Sequence, residues 1–211
     1  KKKIYLYLWS DGYEEWKHLV GKWAVWIFHL MYLTCTFKSE IIVCNKRLSK
    51  KKSHLISISR LDEQWFENQI ETSLENAKFL YVGRLSKEKG IFDFIKMFEK
   101  ICFKETLSIA GNAKNFKFDN PNIKLLGYIS ESKSLMKAYD SNNITILPSY
   151  TEGYPYVVDE SLARKRPVII FEEIAYILNN KKGIYIAKRN IQSLKETVNY
   201  ILKNYKKIQE E

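Results

Sequence analysis

Two glutamates, Glu152 and Glu160, stand eight positions apart in TEGYPYVVDESLARKRPVII, on either side of a Gly-Tyr-Pro turn. A carboxylate accepts hydrogen bonds at two oxygens, which suits the vicinal hydroxyls of a sugar. Gly153 lets the loop fold tightly, and Pro155 fits the first turn of a helix, where its missing N–H costs nothing. Free N–H groups at such a helix start point toward whatever fills the adjoining cleft. On this reading Glu152 lies at the cleft mouth and Glu160 about two turns into the helix. Each would hold one ring of a ligand with a diphosphate between them. Taken alone, the pair reads equally well as two surface carboxylates at an ordinary helix start.

Two further loops bear on that choice. In VGRLSKEKG, Gly83 lets the chain leave a strand without a side chain blocking a pocket. Arg84 and Lys89 then place fixed positive charge near a helix start, which itself attracts anions. Arginine can grip phosphate oxygens as a fork, while lysine adds a point charge. The stretch is not GxxxxGK[ST], so a nucleotide triphosphatase has little support. In LLGYISESK, Gly127 allows close backbone approach, and the backbone of Tyr128 and Ile129 could meet the edge of a base.

These loops need strands to carry them, and the sequence supplies the strands. IYLYLW, EIIVC and HLISIS read as strands, and the stretch from about Tyr13 to Phe37 after the first is helix-prone and strongly apolar in its second half. From Lys78 the pattern restarts: KFLYVG, TLSIAG, NIKLLGYI, ITILPS, PVIIF and KGIYIA as strands, separated by helical stretches. GIFDFIKMFEKIC shows helical spacing, with Ile91, Phe94, Ile95 and Phe98 on one face. IQSLKETVNYILKNYKKI closes as an amphipathic helix. Such alternation implies a Rossmann-like, doubly wound parallel sheet. In such sheets ligands bind beyond the carboxyl ends of the strands, which is where the three loops fall.

The 211 residues, 45% of them hydrophobic, suffice for a packed core. Cys35, Cys44 and Cys102 have no metal-ligand spacing and read as buried thiols of a reducing compartment. His18, His29 and His54 form no metal motif, so no metal is expected. Residues 1–60 carry twelve Lys/Arg against four Asp/Glu, or +8, while the rest carry twenty-three against twenty, or +3. All five tryptophans (Trp9, Trp16, Trp23, Trp26, Trp65) lie within the first 65 residues. If they are exposed beside the lysines, the segment suits an anionic membrane surface; if they are core, the lysines are a solvated rim. The apolar run from Trp23 is about fifteen residues, shorter than the roughly 20 a spanning helix needs. No signal peptide is evident, and a cytoplasmic chain, peripheral on a membrane if the tryptophans are exposed, is the expectation. Nucleic acid is not an expected partner, because no recognised motif accompanies the charge.

FLYVGRLSKEKGIFDFI, LSIAG, NIKLLGYI, ITILPSYTEGYPYVVDESLARKRPVI and KGIYIA occur in the order found in family-four retaining glycosyltransferases of GT-B fold, and the chain resembles them over residues 77–188. The E-x7-E pair, with PS before it, PVI after it and GR…EKG upstream, is the specific part. The resemblance implies a C-terminal donor domain (residues 76–190), a partial N-terminal α/β acceptor-side domain (1–75), and a final helix (191–211) packing back toward the first. It also implies a retaining, metal-independent hexosyl transfer from a nucleotide-diphosphate sugar to a glycan or lipid-linked acceptor, as in surface polysaccharide synthesis. Arg84 and Lys89 would hold the diphosphate and stabilise the charge developing on it. Glu160 would hold the ribose, and Glu152 would face the transferred sugar. The backbone of Gly153, Tyr154 and Pro155 would line the pocket, with Tyr128 and Ile129 flanking the base.

Two departures stand out. The family has a glycine just before its PVI strand, where this chain has Lys165 and Arg166. Its members are also nearly twice as long, with acceptor loops and an N-terminal histidine near the sugar that this sequence does not show. A truncated, non-catalytic nucleotide-sugar-binding fragment is therefore the alternative to an active transferase.

Overall fold

A computed structural model describes residues 3–49, 53–56, 58–72, 75–101, 104–113, 116–178 and 181–210. Residues 50–52 of the basic loop, Ser57 of HLISIS, and Cys102 lie outside the described residues. Two parallel sheets are present among them. The smaller has the order β1 (Ile4–Leu8), β2 (Ser39–Val43), β3 (Ser53–Leu55), with Ile4 opposite Ser39 and Ile41 opposite Ser53.

Between β1 and β2 the single expected helix is two. Helix α1 (Gly12–Leu19) is capped by Asp11, whose side chain accepts from the amides of Tyr13 and Glu14. Gly21, at φ 121°, then breaks the helical path, and α2 (Val25–Thr36) starts afresh after a short 3-10 turn. The two pieces differ in character, α1 being amphipathic with Glu14, Glu15 and Lys17 and α2 apolar throughout, but the break itself is a backbone turn at one glycine.

The larger sheet contains β4 (Lys78–Val82), β5 (Thr106–Ala110), β6 (Ile123–Gly127), β7 (Ile144–Leu147), β8 (Val168–Phe171) and β9 (Ile184–Ala187). Their order is β6-β5-β4-β7-β8-β9, all parallel. Every residue of β7 and β8 is buried, as expected of strands covered on both faces. Helix α3 (Ile91–Ile101) buries Ile91, Phe94, Ile95 and Phe98, the face read from the sequence. Helices α4 (Ser132–Asp140) and α5 (Tyr156–Ala163) lead into β7 and β8.

Helix α6 (Ile191–Glu210) buries Leu194, Val198, Ile201, Tyr205 and Ile208 in the core of Phe79, Phe94 and Phe98 on the larger sheet. The Thr72 hydroxyl reaches the Tyr205 hydroxyl at 3.3 Å.

The polar connector after β3 forms a 3-10 turn, Glu63–Phe66. Trp65 is buried there against Leu80, Met136 and Tyr139 of the larger sheet's surroundings. The remaining tryptophans do not share that fate. Trp9, Trp23 and Trp26 are exposed, so the core reading fails for them. Cys44 is buried as expected, whereas Cys35 is exposed on α2, correcting the expectation of a buried thiol.

Candidate functional site

The strand order reverses between β4 and β7. From β4 the chain proceeds outward through β5 and β6, and from β7 it proceeds the other way through β8 and β9. Neighbouring strands at such a reversal send their loops to opposite faces and leave a crevice between them. Here those loops are residues 83–90 and 148–155, so the topology juxtaposes the basic loop and the first glutamate.

The result is an ion pair. Lys89 Nζ lies 2.7 Å from Glu152 Oε1, which also accepts from the Ser149 hydroxyl at 2.6 Å. The Glu152 amide donates to the Tyr176 hydroxyl at 2.8 Å, and that hydroxyl donates to the Glu152 carbonyl at 2.6 Å. Glu152 is thus buried and fixed at both backbone and side chain, rather than loose at a mouth. The loop of Lys89 is shaped by Gly90, which is left-handed at φ 62° and whose Cβ would come within 2.0 Å of the Pro148 carbonyl oxygen. Only a residue without a side chain lets the two loops approach so closely.

Arg84 behaves differently from Lys89. Its side chain is 75% exposed, with Nη2 3.3 Å from Oε1 of the buried Glu88. Burial pushes the Glu88 carboxyl up, but the Ser86 hydroxyl, the residue's own amide and Arg84 outweigh it and hold it below the usual carboxylate range. Glu88 also ties the loops together, since its carbonyl accepts from the Tyr150 amide at 2.9 Å.

Gly83, Arg84, Tyr128 and Ile129 line one cavity of about 860 Å³ beyond the ends of β4, β5 and β6. Its walls are mainly apolar, with Ala110, Leu125 and Leu126 among them, and the size suits a small organic ligand. Lys89, Glu152 and Glu160 do not line it. Glu160 sits behind its wall, accepting from the Tyr139 hydroxyl at 2.8 Å, with Leu135 and Ile129 packed against the cluster that contains Tyr139. Burial raises the Glu160 carboxyl above its ordinary value, opposed by the Tyr139 hydrogen bond and by Arg60. The helix begins at Tyr156, so Glu160 is its fifth residue, little more than one turn in rather than two. Pro155 precedes that helix as its cap residue instead of lying in the first turn.

Gly153, Tyr154 and Pro155 line a separate, narrow crevice with Asn45 of the smaller sheet's side. Asn45 donates to the Gly153 carbonyl at 3.3 Å, and a Cβ on Gly153 would lie 1.4 Å from the Trp9 carbonyl oxygen. The Tyr154 hydroxyl donates to Asp159 at 2.6 Å, and Lys181 pairs with the same carboxylate. Thus ten sequence-predicted residues gather at the carboxyl ends of the strands, divided among a cavity, an ion pair, a buried carboxylate and a crevice between the sheets.

The description "Glycosyl transferases group 1" belongs to the family model that matches residues 62–210. The chain belongs to this family. Among its curated relatives are a capsular polysaccharide biosynthesis glycosyltransferase, CapM, of Staphylococcus aureus and a putative teichuronic acid biosynthesis glycosyltransferase, TuaC, of Bacillus subtilis. CapM is 26% identical over 68% of this chain and 41% of its own length; TuaC is 29% identical over 59% and 33%. The fold is that of GT-B glycosyltransferases. Sucrose-phosphate synthase from Thermosynechococcus elongatus superimposes with a TM-score of 0.74 at 17% identity, covering 95% of this chain and 58% of that one. HepE of Anabaena, solved in complex with UDP and glucose, gives 0.71 at 14%, covering 99% and 64%. The chain therefore spans 41% and 33% of the two curated relatives and 58% and 64% of the two solved chains.

The departure from the family's glycine before the PVI strand has a structural account. Lys165 occupies the left-handed region at φ 54°. Its amide bonds to the Leu162 carbonyl and the Arg166 amide to the Ser161 carbonyl, each at 2.9 Å, which terminates α5 as a Schellman turn. The turn is kept and lysine bears the strain glycine would avoid.

Sequence reasoning missed Ser149, Tyr176, Glu88, Tyr139 and Arg60. Glu88 stood in view inside EKG; the two tyrosines carry no local signal, since they reach the glutamates from 24 and 21 positions away. Arg60 lies over the Tyr156 ring at 4.2 Å and belongs to the basic first segment.

Proposed function

We propose that this glycosyltransferase chain carries the donor half of a retaining, metal-independent transfer from a nucleotide-diphosphate sugar to a glycan or lipid-linked acceptor. The observation that carries the reading is the Lys89–Glu152 pair at the strand-order reversal, beside an apolar cavity of suitable size. The base enters the cavity against Ile129 and Tyr128, and the diphosphate crosses the Gly83–Arg84 loop toward Lys89. Glu152 orients the transferred sugar through its hydroxyls. Glu160, once ionised, takes the ribose hydroxyls. Positive charge from Arg84 and Lys89 stabilises the departing diphosphate, where a fixed cation is worth most. UDP and glucose in the HepE structure support a donor of this class.

A second reading, a donor-binding chain without turnover, is favoured by one observation: Lys89, Glu152 and Glu160 do not line the cavity of about 860 Å³. Calorimetric binding of UDP- and GDP-sugars, run beside hydrolysis and transfer assays, separates the two. Turnover abolished by Glu152→Gln, with binding retained, supports transfer. Binding with no turnover supports the second, and no binding of any sugar nucleotide rejects both.

A further inference from the structure

Helix α2, VWIFHLMYLTCT, contains no Asp, Glu, Lys or Arg, yet Tyr32 is its only fully buried residue among those described. Tyr13 and Trp16 of α1 hold its inner side through Phe28, with ring centroids 4.8 and 5.7 Å apart. Its outer side is bare. Trp26, Leu30, Leu33 and Phe37 follow at spacings of four, three and four, one helical stripe, with Trp26 61% and Phe37 82% exposed. Trp23, 63% exposed, extends the stripe toward Leu19 and Val20.

Charge brackets the stripe. Exposed Lys22 lies one turn before Trp26, and exposed Lys38 follows Phe37. Between Glu15 and Glu40 the sequence has no carboxylate at all. Residues 1–60 carry a net +8, from twelve basic and four acidic side chains. Among the described residues no helix is long and apolar enough to cross a membrane. An apolar stripe with tryptophan at its start, lysine at both ends and no acid suits the boundary between anionic headgroups and acyl chains.

We propose that the α1–α2 hairpin docks this chain onto an anionic bilayer, with Trp23, Trp26, Leu30, Leu33 and Phe37 inserted and Lys22 and Lys38 at the headgroups. The hairpin also forms a wall of the site. Helix α1 packs against the turn that carries Lys89, and the His18 ring stacks on Tyr150 at 4.9 Å, two residues from Glu152. A docked bilayer surface would lie about two helix diameters, ~20 Å, from the Lys89–Glu152 pair. If the proposed transfer is correct, that placement favours an acceptor carried on a lipid; the docking itself does not depend on the chemistry.

The test is co-sedimentation of the chain with phosphatidylcholine vesicles and with vesicles containing phosphatidylglycerol, without donor present. Wild type is expected to bind the anionic vesicles at least tenfold more tightly. Trp23→Ser with Trp26→Ser, and separately Lys22→Glu with Lys38→Glu, are each expected to lower that binding about tenfold or more. Circular dichroism and sugar-nucleotide affinity should stay at wild-type values in both. Absence of wild-type binding, or binding indifferent to both pairs, overturns the proposal. So does concentration-dependent self-association abolished by the tryptophan pair, which would show a second copy covering the stripe. Vesicle binding with no donor binding or turnover would instead count against the proposed function and leave the docking standing.

Discussion

Lys89 Nζ and Glu152 Oε1 lie 2.7 Å apart although 63 positions separate the residues. Two loops on neighbouring strands produce the contact, and the reversal of strand order at β4 and β7 makes those strands neighbours. Removing the ammonium leaves the buried carboxylate bonded only to Ser149 among its described side-chain donors. Lys89→Met is therefore expected to destabilise the chain by about 2–3 kcal/mol, and adding Glu152→Gln should recover part of that loss. Urea denaturation of the two single variants and the double variant measures the coupling, and simple additivity would contradict it.

Glu160 makes stability depend on pH in a defined direction. Burial raises its carboxyl above the ordinary 4.5, so the folded chain holds that proton more tightly than the unfolded one. Its contribution is fully present below the unfolded value and declines as pH rises through the folded one. Glu160→Gln should flatten that decline in melting temperature measured from acid to neutral pH. Sugar-nucleotide affinity should run the other way, rising with pH in the same window, because ribose hydroxyls require an acceptor.

Lys165 at φ 54° is a correctable strain. Lys165→Gly should stabilise the chain by about 1 kcal/mol, seen as a higher denaturation midpoint with an unchanged slope. No change would mean that the left-handed turn costs lysine nothing here.

Arg164 donates to both oxygens of Asp140, at 2.9 and 2.7 Å, and to the carbonyls of Trp65, Glu67 and Asn68. Arg164→Met would strand three carbonyls and, among the described residues, leave the nearly buried Asp140 carboxylate with only the Arg166 guanidinium, at 3.6 Å. A loss of about 3–5 kcal/mol is expected in equilibrium unfolding, whereas the exposed Lys137→Met on α4 should cost little.

The larger sheet was legible because its strands alternate with helices and end in loops marked by glycine, as at Gly83 and Gly127. E-x7-E was legible because both glutamates follow one strand. The partners of those glutamates were not. Tyr139 and Tyr176 reach them from different elements, and nothing local distinguishes these tyrosines from any other core aromatic. The amphipathic face of α6 was legible, but such a face says only that it buries something, not what. The α1–α2 break rested on a backbone turn at one glycine, Gly21. Arg166 drew notice only beside Lys165 as a missing glycine and Arg164 drew none, when their guanidinium groups are the more consequential feature.

That pair of arginines fastens the connector after β3 to the larger sheet. Arg164 and Arg166 bond to the carbonyls of Trp65, Glu67, Asn68 and Ile70, so this connector moves as part of the larger sheet's body. Arg60, seated on Tyr156 beside the buried Glu160, extends the same hold to the residue before Leu61.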